Sequence, residues 1–343
     1  MAETPQGYPI AVRDSNLGTA ISLMLRTLPY ALMRFAMLFG YSLAGIVWLV
    51  VMLGGAAWAG THIAGVFGVI WVVICLALGG WFWHMMLRYA LHLVECGHVA
   101  VLTQLITRGS VGNGGESMFA YGKRIVIERF GEVNVLFALN QLVRGVVNTV
   151  NKVIEGVGSL LPIPGLDQMA RLIEAVLRAA TRYIDKVIFS YNLAQTGANP
   201  WSGARDGLIY YAQNAKPILK QAVWITVLDY VLGALLWLVM LIPAVAITLV
   251  LPPAVREFGA IVTVVIAVLF ALAARGAFLK PLFLIMIMVR FHNLIEHQDV
   301  NQAWADRLDQ ASNKFRDLGQ KAAEIFNRPA VVPSPAPMAD KSD

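Results

Sequence analysis

Charge is scarce in this 343-residue chain: 14% of residues are Asp, Glu, Lys or Arg, against about a quarter in soluble domains. Cysteine is scarcer still. Cys75 and Cys96 are the only two, so no disulfide framework can be read and the redox compartment stays open. Several catalytic signatures are missing as well. There is no Gly-x-Ser-x-Gly elbow, no His-Glu-x-x-His and no Gly-Lys-Ser/Thr after a glycine-rich loop, which argues against hydrolase, zinc protease and nucleotide-binding readings. No enzyme activity, cofactor or structural metal is expected. The stretch Met1 to Gly18 lacks the basic start and small-residue cleavage site of a secretory signal, so the first apolar run is expected to stay as an anchor.

What the chain has in abundance is long apolar runs, with 58% hydrophobic residues and a mean hydropathy of +0.64. A helix needs about 20 apolar residues, at about 1.5 Å each, to cross a hydrocarbon core. Four runs reach that length: Phe35 to Gly60, Val66 to Met86 or on to Val101, Ala222 to Leu251, and Phe258 to Val289. The expected fold is an all-α integral membrane protein, with four transmembrane helices in two hairpins and amphipathic helices between them. Its parts are an N-terminal arm (1–34), a first hairpin (35–101), an amphipathic middle (102–221), a second hairpin (222–290), an amphipathic helix (291–327) and a disordered tail (328–343) rich in Pro, Ala and Ser.

Lys and Arg are unevenly spread. The two turns, Thr61 to Gly65 and Pro252 to Glu257, hold one basic residue between them, Arg256, and Glu257 offsets it. The positive-inside rule then places both termini and the middle in the cytoplasm of a plasma or bacterial inner membrane. Basic segments beside anionic lipid account for the net charge of +6 without nucleic acid. Membrane lipids are the first expected partner.

In the middle region, Gly109 to Gly115 reads as a turn. From Val133 to Leu161, Leu139, Leu142, Val143, Val146, Val147, Val150, Val153 and Val157 recur at helical spacing, with Asn140, Arg144, Asn148, Asn151, Lys152 and Glu155 between them. Pro162 and Pro164 end that helix. A second starts at Asp167, and its apolar stripe runs from Leu172 to Tyr191 with Arg182, Asp185 and Lys186 off it. Such helices lie on the membrane, pack under the bundle, or line a wet path through an oligomer. On the last option, Asn140, Arg144, Asn148 and Asn151 are pore-lining candidates.

Asp229, Arg275 and Lys280 lie within the apolar stretches of the second hairpin, where an ionised group must be paired or hydrated. Counting about 1.5 Å per residue from the turn puts Asp229 and Lys280 at one level, near the inner interface, where Lys280 can snorkel to headgroups. Arg275 is deeper, and facing water it would favour anions. Pro281 and Pro243 are expected to bend their helices.

Trp48, Trp58, Trp71, Trp81, Phe82 and Trp83 fit an interfacial aromatic belt. Trp81 and Trp83 are also candidates for a cation-π cage around a quaternary ammonium. His92, Glu95 and Cys96 share a helical face, but no second ligand set accompanies them.

The segment Arg182-Tyr-Ile-Asp-Lys-Val-Ile-Phe-Ser-Tyr-Asn192, then Asn199 to Asn214, then the apolar span opening at Leu228-Asp-Tyr-Val231, resembles the second half of the choline-transporter-like family, over about residues 91–309. In that family a Tyr-containing helix leads to a Ser-Ala-Lys-Asp-Ala run and an Asn eight residues beyond its Asp. Ala204, Arg205, Asp206 and Asn214 match that spacing, while Gly203 stands in place of the first Ser. The resemblance implies membrane transport, with choline or another small solute as substrate. Four spans are few to enclose a path in one chain, so the function expected here is an oligomeric pore or channel, as a homo-oligomer. A choline or amine carrier and a non-transporting membrane scaffold are the alternatives.

Overall fold

The computed structural model describes residues 7–112, 116–130, 141–143, 145–146, 182–195 and 199–326. All regular elements among them are helical. Most of the helix expected from Val133 to Leu161, the start of the one expected from Asp167, and the tail 328–343 lie outside the described residues.

Four helices are long and apolar enough to cross a membrane. After a short α1 (Leu17–Arg26), α2 (Leu28–His62) and α3 (Gly65–Arg108) are joined across Ile63 and Ala64. They run antiparallel, since Trp71 lies over Gly55, Trp48 over Gly79 and Tyr30 over Gly97. Next come α4 (Met118–Phe130), α5 (Ile184–Ala194), α6 (Pro200–Gln213) and α7 (Ala215–Val250). A 3-10 turn leads to α8 (Arg256–Ala274), which passes through a five-residue π-turn, Arg275–Leu279, into α9 (Lys280–Ile295). Edge-on and tilted ring contacts of Phe35 and Phe39 with Phe270 and Phe278 join α2 to this last run. Their order puts both short turns at one end of the molecule.

These helices are longer than a membrane requires. At 44 residues, α3 measures about 66 Å, twice a hydrocarbon core of about 30 Å. The half near the two turns is apolar and exposed. The other half, the base, holds the packed core, where Tyr191, Phe283, Phe291, Phe315, Leu102 and Ile209 are fully buried.

The base departs from the sequence reading in two places. Expected to be amphipathic, α5 is enclosed on nearly every side, with Asp185, Ser190 and Asn192 buried along with its apolar stripe. Its polar groups are satisfied internally, as when Asn192 Nδ2 donates to the Pro200 carbonyl. Small residues let α6 approach it, because a Cβ on Gly203 would stand 3.2 Å from Asn192 and one on Gly207 3.2 Å from Tyr191. The expected single helix after the last span is two, α10 (Gln302–Ala311) and α11 (Asn313–Phe326). Between them, extended Ser312 breaks the ladder, and its hydroxyl accepts from the Phe315 N–H, acting as a cap. Both pack under α6, with Arg205 paired to Asp309 at 3.1 Å.

The glycine-rich stretch expected as a turn is described as far as Gly112, and residues 113–115 lie outside the described residues. Gly109 ends α3 with φ +78°, a left-handed conformation that suits a residue without Cβ. The terminal carbonyls of α3 find donors nearby: Arg26 reaches Gly109 O at 2.8 Å, and the N–H groups of Ala11 and Val12 both reach Ile106 O.

Candidate functional site

Asp229, Arg275 and Lys280 meet in a cavity of about 650 Å³ where the base joins the long helices. Arg275 forks onto Asp229, with Nη2 to Oδ2 at 2.8 Å and Nε to Oδ1 at 3.3 Å. A second guanidinium, Arg182, lies 3.8 Å from the same carboxylate. On the opposite helix pair, Glu95 takes Arg34 at 3.2 Å and Lys186 at 3.5 Å. Each carboxylate is thus shared by two cations. Lys280 also lines the cavity, and among the described residues it has no carboxylate within ion-pair distance.

Each long helix contributes: Arg34 from α2, Glu95 from α3, Asp229 from α7, and Arg275 and Lys280 from the last run. Arg34 lies 28 residues from the end of α2 and Glu95 30 from the start of α3, so both sit at one level, about 42–45 Å below their turn. Asp229 and Arg275 lie about 30 Å below theirs. The π-turn helps to assemble this set. In a regular α-helix, residues five apart point about 140° away from each other, whereas the wider i→i+5 turn brings Arg275 and Lys280 round to one cavity. That turn ends one residue before Pro281, which has no N–H to continue the α-helical ladder. Pro243, by contrast, sits inside an uninterrupted α7.

The other candidates fall elsewhere. Asn140, Arg144, Asn148 and Asn151 lie outside the described residues. Their neighbours Val143 and Val146 are buried in the base core, and Gly145 lies beside Lys314 of α11. Trp81 and Trp83 belong to α3, but their side chains lie outside those described. The cluster His92, Glu95 and Cys96 is divided: His92 approaches Cys96 Sγ at 3.6 Å, while Glu95 turns to its two cations. Of the residues carrying the family resemblance, Arg182, Tyr183, Lys186 and Asp229 reach the cavity. Asn214 does not, and instead exchanges amide hydrogen bonds with Gln298 at 2.7 and 3.1 Å.

Sequence reasoning singled out Asp229, Arg275 and Lys280 but missed Arg34, Glu95, Arg182 and Lys186 as parts of the same site. The depth count made for the second hairpin would have found two of them, because Arg34 and Glu95 are level when the first is counted in the same way.

A second buried constellation invites a catalytic reading and fails it. Ser190 Oγ lies 2.8 Å from His292 Nε2, and His292 Nδ1 lies 3.0 Å from the Tyr8 hydroxyl. Ser190 also lies 2.7 Å from Thr103 Oγ1, whose own proton goes to Val99 O at 2.7 Å. With that proton committed, Ser190 must donate to Thr103, so His292 Nε2–H donates to Ser190 and Nδ1 accepts from Tyr8. Burial raises the Tyr8 phenol well above its usual pKa, which keeps it a donor. The serine proton points away from the imidazole, the reverse of what an activated nucleophile needs. The chain is a structural relay joining the N-terminal arm, α9, α5 and α3.

Comparison with protein-family models, curated proteins and solved structures gives no match. The likeness to choline-transporter-like proteins therefore rests on the residues quoted for it.

Proposed function

We propose that the protein is a membrane transport protein for small anions, working as a homo-oligomer, with the base cavity as its cytoplasmic vestibule. In this reading α2–α3 and α7–α9 form two transmembrane hairpins with outward turns, and the basic base faces the cytoplasm. One observation carries it: cations outnumber carboxylates five to two in the cavity lining. A ring of Arg and Lys at the mouth of a path attracts anions and turns cations away. The same excess disfavours a cationic solute such as choline, so the amine-carrier alternative leans on the resemblance alone. The exposed apolar faces of α2 and α7 suit either lipid or the neighbouring copy that a ring-shaped pore needs.

The second reading is a non-transporting scaffold. It is favoured by the Asp229–Arg275 fork, which ties α7 to the last helical run whether or not anything passes. Flux through liposomes carrying the purified protein separates the two. Transport predicts chloride permeability above that of sodium or choline, and a shift of the reversal potential toward cations in Arg275→Ala. Liposomes that stay tight to chloride and to choline while the oligomer is intact would leave the scaffold.

A further inference from the structure

We infer that the base cavity binds a phosphomonoester. This rests on the anion reading and names the class of anion. Arg34, Arg182, Lys186, Arg275 and Lys280 face Glu95 and Asp229 across the lining, an excess of three positive charges. Asp185, 3.4 Å from Lys186 but outside the lining, reduces it to two. A phosphomonoester carries about −1.5 to −2 at pH 7, which balances that excess where a halide would not.

Hydrogen-bonding capacity points the same way. Nε of Arg34 is buried without an acceptor, although its Nη1 serves Glu95, and the Lys280 ammonium has no carboxylate among the described residues. A tetrahedral phosphate has oxygens enough for both, and guanidinium forks suit it geometrically. At about 650 Å³ the space is far larger than a single ion needs and lies within the range of small-molecule sites. Part of its wall is apolar, with Leu272, Gly276, Pro281 and Leu284 available to the organic part of the ester. The cavity also sits about 30–45 Å below the turns, level with the headgroups of the far leaflet of a core about 30 Å thick. The ester is therefore accessible from two sources, a lipid headgroup or a soluble metabolite.

The test uses the full-length protein in phosphatidylcholine nanodiscs, read by unfolding temperature and native mass spectrometry. Phosphatidic acid in the bilayer and glycerol 3-phosphate in solution are the probes, with added chloride as control. Either probe should raise the unfolding temperature above the chloride control. Lys280→Gln should weaken binding by about tenfold or more and Lys280→Arg should retain it. Because Lys280 has no carboxylate within ion-pair distance among the described residues and stands beside four other cations, the ligand-free unfolding temperature should not fall. A response to phosphatidic acid alone assigns the headgroup, and a response to both assigns a free ester. No response to either, or an undiminished response in both Lys280→Gln and Arg182→Gln, overturns the inference. Since binding is read without flux, chloride transport by a protein that ignores both probes would sink this inference alone. Ester binding by a protein tight to chloride would sink the transport reading alone.

Discussion

The turn half and the base of this molecule are built from the same four helices, yet they are held together differently. In α2 and α7, large apolar side chains such as Val50 and Ile242 are more than half exposed, whereas Val101, Leu102 and Ile106 at the base end of α3 are fully buried. In the turn half the helices meet at a few points, such as Trp71 on Gly55 and Trp48 on Gly79. In the base, shorter helices such as α1, α4, α5 and α6 pack against them and one another. The contrast follows from solvent. Lipid tails are as apolar as leucine, so helices in hydrocarbon gain little from burying apolar faces against each other. Outside it the hydrophobic effect operates at about 25 cal/mol per Å² and rewards a packed core. Helices that continue from one solvent into the other therefore change from lipid-exposed rods into core elements along their own length.

Truncating one large side chain in each half should show the difference most strongly. Phe283→Ala removes a ring with no exposure from the base and should cost about 3–5 kcal/mol. Ile242→Ala, at a position 69% exposed in α7, should change stability by about 0.5 kcal/mol or less. Unfolding of both variants in the same lipid nanodiscs measures the pair, and equal losses would dissolve the distinction.

Glycines offer a smaller version of the same comparison. Gly203→Ala and Gly207→Ala force a methyl group against Asn192 and Tyr191, an overpacking worth about 1–3 kcal/mol. Gly40 and Gly54, in α2, have nothing within 4 Å of a Cβ. Alanine there should be neutral or should stabilise by up to about 1 kcal/mol through helix propensity. Thermal unfolding of the four single variants should show the first pair less stable than the second.

The smallest effect expected is a pH dependence confined to the base. Burial raises the carboxyl pKa of Asp206 in α6, with Arg205 opposing it. A carboxyl whose folded pKa is raised favours the folded state below its unfolded pKa, and that contribution is lost as pH rises through the folded value. Asp206→Asn should therefore stabilise the base at neutral pH relative to the parent, with the difference shrinking toward pH 4. A gap that widens in acid would show that Asp206 is held by its cation rather than penalised by burial.

The long helices and their turns were legible because the apolar runs are interrupted only where the chain reverses, at Thr61 to Gly65 and Pro252 to Glu257. The charges Asp229, Arg275 and Lys280 stood out against their apolar surroundings for the same reason. Arg34 did not, since a basic residue at the head of a span is ordinary, and its partner Glu95 lies 61 positions away, beyond what any local spacing encodes. The helical period around Ser190 and Asn192 separated polar from apolar positions correctly. It could not show that both faces are enclosed, because that depends on hydrogen-bond partners supplied by α3, α9 and Pro200. The π-turn was similarly hidden: Pro281 announced a departure from regular geometry without saying which residues it would reorient.

The relay from Tyr8 to Thr103 has a consequence for the order in which the molecule is made. Tyr8 and His292 are 284 positions apart, so at about 5–20 residues per second the first leaves the ribosome roughly 15–60 s before the second. During that interval the arm can already dock on the Ile106 carbonyl, an acceptor made well before α9. The phenol and its imidazole can join only once the last span has arrived. Closure of the base is thus a late event in biogenesis, waiting on α9 to meet the arm that precedes α1.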